Sequence, residues 1–195
     1  MATVTPRHKG TDTMRTHPIL SDNGFAKLVE ATRDDPVPYT YTLLLGDVGL
    51  RPIEALGLRW EDVDLAERVG WARKGKGGPH EFPISRRLAT ALAEHRKAGG
   101  RSSPFVFPGA GRVRGGHPLA PRLRQVLQAV AAEAGLPKPF HLVSLRRRCF
   151  LRWSCIGHPE HVIRWALGYP GKHREGPVRK DDLRRLVDIW DPEEN

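Results

Sequence analysis

Apolar residues recur along this chain with two different periods, and the changes between them mark its elements. After Ser21, whose hydroxyl suits a helix N-cap, Phe25, Leu28 and Val29 fall on one helical face. A more continuously apolar stretch predicts a second helix over residues 36–48, which Gly49 ends. Arg51-Pro52-Ile53-Glu54 then begins a short helix, with Pro52 suited to its first turn and Glu54 favourably near its positive end. Trp60-Glu61-Asp62-Val63-Asp64 leads out of it. Residues 69–73 and 80–84 flank Lys74-Gly75-Lys76-Gly77-Gly78-Pro79 and predict a β-hairpin with two lysines at its tip.

A helix over residues 86–97 follows, then the apolar segment Phe105-Val106-Phe107 bounded by prolines. Residues 109–116 are too rich in glycine to be regular and predict a mobile loop. Leu119, Leu123, Val126, Leu127 and Val130 mark an amphipathic helix closed by Gly135. Two more helices are predicted over residues 144–156 and 159–167, split by Gly157-His158. A last stripe of Leu183, Leu186, Val187 and Trp190 follows the breaker Gly176-Pro177. The fold class is therefore mainly α with a small antiparallel β-hairpin or sheet. Residues 1–19 lack periodicity and are expected to form a flexible basic arm ahead of one domain over residues 20–195.

Composition narrows the class of partner. The chain has 195 residues, 39% of them hydrophobic, enough for one core. Lys and Arg number 32 against 22 Asp and Glu, and a net charge of +10 favours a polyanion, with double-stranded DNA as the leading candidate. The plainer reading is a solvated basic surface. No apolar run is long enough to cross a bilayer, so a cytoplasmic protein with no membrane partner is expected. Cys149 and Cys155 fall within one predicted helix and read as reduced packing residues. Together with His158 and His161 they lack a four-ligand spacing, so neither a metal nor another cofactor is expected.

Four segments carry a family resemblance. Gly49-Leu50-Arg51-Pro52-Ile53-Glu54-Ala55-Leu56, followed by Leu58-Arg59-Trp60-Glu61-Asp62-Val63-Asp64, resembles the first arginine box of the tyrosine recombinases, the phage integrase family. Gly75-Lys76-Gly77-Gly78 up to Phe82-Pro83-Ile84 is similar to that family's lysine-bearing hairpin. Val143-Ser144-Leu145-Arg146-Arg147 stands where the family has His-x-Leu-Arg-His, and Ala166-Leu167-Gly168-Tyr169 where it has Leu-Leu-Gly-His. The order and spacing hold over about residues 20–190, the extent of the family's catalytic domain.

The resemblance implies that two arginines and a histidine or tryptophan hold a scissile phosphate. A lysine assists the leaving oxygen, and a tyrosine attacks to form a 3′-phosphotyrosyl link. Arginine suits this task because it is always charged and its planar fork matches two phosphate oxygens. Carried over, Arg51 and Arg146 match the arginines, and Lys76 the lysine, with Lys74 as the alternative register. Val143 replaces the first histidine, Tyr169 the later one, and Val178 falls where the nucleophile stands. Beyond residue 169 the sequence has no tyrosine.

Each assignment has a plainer counterpart. Arg51 can simply neutralise Glu54 or cap its helix, and Lys76 can be a solubilising charge. Arg147 and Arg148 form either a solvated helix face or a DNA contact. His141, His173 and Arg174 are further candidates for phosphate contact. Tyr39 and Tyr41 read as core, while Tyr169 is a hydrogen-bonding residue in the pocket or a displaced nucleophile. The expectation is a DNA-binding relative of the catalytic domain that does not cut, acting as a regulator or recombination accessory. The alternatives are an active recombinase using Tyr169 or a tyrosine in trans, and a protein-interaction module with a vestigial pocket. The stripe Leu183, Leu186, Val187 and Trp190 either docks on a second copy or folds back on its own domain.

Overall fold

The computed structural model describes residues 19–73, 75, 77–99, 103–108, 118–136, 138–169 and 177–188. Among them, α1 (Asp22–Thr32), α2 (Pro36–Gly46) and α3 (Pro52–Leu56) lead to a 3-10 turn at Trp60–Asp62. Strands β1 (Val63–Asp64), β2 (Val69–Ala72) and β3 (His80–Pro83) follow, then α4 (Arg86–Ala98), α5 (Leu119–Glu133), α6 (Val143–Ile156), α7 (Glu160–Ala166) and α8 (Lys180–Asp188).

The N-cap expected at Ser21 is in place, and the structure adds two that the sequence reading did not name, at Asp35 and Ser85. The Ser21 hydroxyl accepts the Gly24 N–H at 3.0 Å and starts α1. Asp35 accepts from Val37 at 3.1 Å ahead of α2, and Ser85 from Leu88 at 3.2 Å ahead of α4. Helix α2 is the hub, packing against α1, α3, α4, α5 and α6. That position explains its unbroken apolar run, because Thr40 through Gly46 are all buried and no polar face remains. The helix stops two residues short of the predicted end. Gly49 adopts φ +71 and the Leu50 N–H returns to the Leu44 carbonyl at 3.0 Å, which turns the chain toward α3.

The hairpin is part of a three-stranded antiparallel sheet, order β1-β2-β3, with Gly70 opposite Phe82 and Trp71 opposite Glu81. The third strand, β1, escaped sequence reading because two residues are too few to show alternation. Phe105-Val106-Phe107 is explained by pairing across from residues 58–60. Val106 donates to the Leu58 carbonyl at 2.9 Å and Trp60 to that of Pro104 at 3.0 Å. Helices α7 and α8 pack on β3. Leu183, Leu186 and Val187 are accordingly buried in the chain's own core, so this stripe is not an open surface for a second copy; Trp190 lies outside the described residues. Residues 1–18 of the arm, the glycine-rich loop of residues 109–116 and the tip lysines also lie outside them. Both cysteines are free thiols. Cys149 is a buried packing residue as expected, and burial pushes its thiol up to about 12, whereas Cys155 is exposed.

One contact pins α1 to α2. Phe25 lies so close to Gly46 that a Cβ there would stand 2.0 Å from the ring. The same ring is flanked by the guanidiniums of Arg148 and Arg87, at 4.2 and 5.4 Å from its centroid. Phe25 therefore cannot retreat to make room. Replacing Gly46 by alanine is expected to destabilise the fold by about 1–3 kcal/mol through overpacking, a shift that urea denaturation reads directly.

Candidate phosphate-binding site

The site begins at the end of the α2 to α3 turn. Arg51 is the N-cap of α3 in extended conformation, and Pro52 occupies the first turn, where a missing N–H does no harm. Glu54, one turn on, folds its carboxylate back. The Arg51 backbone N–H donates to Glu54 Oε2 at 2.8 Å and Arg51 Nη1 to Oε1 at 2.5 Å. The Glu54 side chain is wholly buried, while that of Arg51 is 22% exposed. The plainer reading of Arg51 is thus correct in part: it neutralises Glu54 and stands at the N-cap position of α3, but its side chain makes no cap hydrogen bond.

Helix α6 delivers the second arginine. Arg146 Nη1 donates to the Gly49 carbonyl at 2.7 Å and Nη2 donates to the Leu167 carbonyl. Glu54 Oε2 lies 4.0 Å from Nη1. With 7% of its side chain exposed, Arg146 has its pKa lowered by burial first and by neighbouring Arg51 second, and it remains a cation. Arg51 also reaches the Gly168 carbonyl, at 3.5 Å. The arginines are therefore brought together as expected, with Glu54 between them.

Tyr169 closes the same pocket. Its ring lies 4.8 Å from the Arg146 guanidinium carbon, 5.7 Å from that of Arg164 and 6.0 Å from that of Arg51, with Phe150 edge-on at 6.4 Å. Tyr41 is buried in the core edge-on to Phe107, and desolvation pushes its phenol well above the usual range. The hairpin abuts the pocket through Gly75, where a Cβ would stand 2.6 Å from Glu54 Oε1. Lys74 and Lys76, on either side of it, lie outside the described residues, as do His173 and Arg174.

The remaining candidates divide. Arg148 is a correction: it is buried, donates to the Gly46 carbonyl at 3.0 Å and pairs with Asp22 at 2.5 Å, so it ties α6 to α1 and α2 rather than facing DNA. Three arginines in a row cannot share one helix face, and Arg148 takes the inward direction. Arg147 and His141 are half-buried near the start of α6. Val143 is exposed on the first turn of α6 and Val178 packs against the core. Neither valine can move a proton or attack phosphorus.

Sequence reading missed three members. Glu54 was noted only for the helix end, although an acid three residues after an arginine at an N-cap is a capping signal. Arg164 belongs with Tyr169 because of how α7 ends, which the sequence Arg164-Trp165-Ala166-Leu167-Gly168-Tyr169 signals through its glycine. His80 lies at the base of the hairpin, buried, with Nδ1 3.4 Å from the Gly78 carbonyl. Gly168 is pressed against its ring so closely that a Cβ would stand 2.4 Å away. Burial lowers the His80 pKa, as do Arg146 and Arg51, against opposing effects of Glu54 and the Gly78 carbonyl.

Comparison with known proteins places this architecture. Residues 19–172 match the model of the phage integrase family. Over 134 residues the chain is 32% identical to tyrosine recombinase XerC of Xanthomonas campestris pv. campestris, covering 66% of this chain and 40% of the relative. The chain thus spans about two fifths of the length of that relative. The structure superposes on the XerA recombinase with a TM-score of 0.67 at 20% identity, covering 87% of this chain and 64% of that one. It also superposes on the Tn1549 transposon integrase in complex with circular intermediate DNA, with a TM-score of 0.60 at 19% identity over 80% of this chain and 61% of that one. These structural likenesses establish a shared fold.

Two outcomes test the wiring. Glu54→Ala leaves Arg146 buried beside Arg51 without a counter-charge, so the fold is expected to lose about 3–5 kcal/mol in urea denaturation. For His80, the folded value lies below the ordinary 6.5, so the unfolded chain takes up a proton that the native state resists. The stability present at neutral pH therefore declines as pH falls below about 6.5. His80→Gln is expected to flatten that part of the stability profile relative to the parent chain.

Proposed function

The chain belongs to the phage integrase family, and from that premise we propose that it grips the backbone of double-stranded DNA through the Arg51, Arg146 and Tyr169 pocket without cutting it. The observation that carries this reading is where Tyr169 lies. It is packed among three guanidiniums, nearest to that of Arg146. In this reading Val178 takes the place of the nucleophile and Val143 that of a histidine. A phenol there orients and donates one hydrogen bond. Lys76, with Lys74 as the other register, adds charge from the hairpin, and Arg147, His141, His173 and Arg174 extend the basic face.

The role that fits is a DNA-binding regulator or an accessory in recombination, acting in the cytoplasm where DNA is accessible. The net charge of +10 supports a polyanionic partner. The Tn1549 integrase, which shares this fold, was captured on DNA. Self-association through α8 would first require that helix to leave β3 and α7, so DNA is preferred over a second copy as the partner.

The test uses the purified chain with a random duplex pool, followed by affinity measurements on the enriched sequence across a range of salt concentrations. Affinity is expected to fall steeply with salt, since each neutralised phosphate contributes a slope of about −0.9 in log K against log salt. Arg51→Ala is expected to weaken binding by about 1.5–3 kcal/mol, the range for a charge-assisted hydrogen bond. No adduct should survive denaturing electrophoresis. A covalent protein–DNA product that Tyr169→Phe abolishes would establish an active recombinase, and no retention of DNA at low salt would establish the interaction module.

A further inference from the structure

Helix α7 ends in a closure that joins Arg164 to Tyr169. Gly168 adopts φ +57, so the Tyr169 N–H returns to the Arg164 carbonyl at 2.9 Å and the Gly168 N–H to the Trp165 carbonyl at 2.8 Å. This is a Schellman closure, which brings the residue after the glycine over the last turn of its own helix. The Arg164 guanidinium consequently lies over the Tyr169 ring. One aromatic ring thereby gathers three guanidiniums from α3, α6 and α7.

The three differ in where their charge points. Arg51 and Arg146 turn donors inward, to Glu54 and to the carbonyls of Gly49, Leu167 and Gly168. Arg164 is the exposed one, with 44% of its side chain open to solvent. Its partner Glu160 is an i,i+4 neighbour at 3.1 Å whose own side chain is 69% exposed. Surface pairs of this kind are worth little and yield readily to a competing anion. The Tyr169 ring, 5.7 Å from the guanidinium carbon, meanwhile holds that cation beside the other two arginines.

We propose that Arg164 is the outer phosphate ligand of the pocket, a permanently charged fork that contacts the DNA backbone. This rests on the DNA-binding reading of the same site. The ligand class is a backbone phosphodiester, bound by charge and two parallel N–H donors. Glu160 occupies the guanidinium in the free protein and is displaced on binding.

The experiment measures binding of the full chain to its enriched duplex at several salt concentrations, alongside thermal melting. Arg164→Met keeps an unbranched stem against the ring and removes the charge. It is expected to weaken low-salt binding about tenfold and to reduce the salt slope by about one, with melting unchanged. Arg164→Lys should keep the slope and lose part of the affinity, because the fork is gone. Glu160→Gln, which removes the competitor, should tighten binding with the slope intact. If Arg164→Met binds like the parent while Arg51→Ala is weakened, Arg164 has no such role and the pocket stands without it. If neither change affects binding, the pocket reading fails and this inference with it. Should Arg164→Met melt early, Glu160→Gln decides, and unchanged affinity in that variant overturns the proposal.

Discussion

Everything in the site depends on one buried carboxylate. Glu54 has no solvent access, and an unpaired charge in that setting would be strongly disfavoured. Arg51 supplies it with a backbone and a side-chain donor, and Arg146 adds a second cation 4.0 Å away. The dependence runs both ways, since two guanidiniums sharing one aromatic ring repel each other unless an anion lies between them. The donors left over reach the carbonyls of Gly49, Leu167 and Gly168, which are the turn after α2 and the end of α7. A single acid thus sets the mutual position of α3, α6 and α7.

The pocket holds charge more readily than it moves protons. Arginine stays protonated at any relevant pH, and Arg51 and Arg146 are both placed against Glu54. His80, the imidazole packed nearby, is disfavoured as a cation by burial and by the arginines themselves. The permanent charge in this cluster therefore rests on its arginines.

The sequence disclosed much of this and concealed the rest for identifiable reasons. The cap at Ser21 and the glycines at 49, 135 and 157 are local signals, and these were legible, whereas the equally local caps at Asp35 and Ser85 were passed over. The arginine boxes were legible too, because their residue types and order follow the pattern of the family to which the chain belongs. What escaped depended on direction and distance. Arg148 differs from Arg147 only by a rotation about α6, yet one is an internal tether and the other half-buried nearer solvent. His80 belongs to the site only because α7 packs on β3 and sets Gly168 against its ring. Strand β1 exists only through its pairing with β2, and Leu183, Leu186 and Val187 are core only because α8 turns back onto the sheet.

The pairing of Arg146 with Gly49 spans 97 residues and that of Arg51 with Gly168 spans 117. Contacts so remote along the chain form only after most of its entropy has been given up, so they come late in folding. Helices α1, α3, α4 and α5 pack on α2 through contacts that involve neither Arg146 nor the end of α7. The cluster therefore cannot be cut out as a short segment: the turn after α2, the start of α6 and the end of α7 must all be present for its two arginines to find their carbonyl partners.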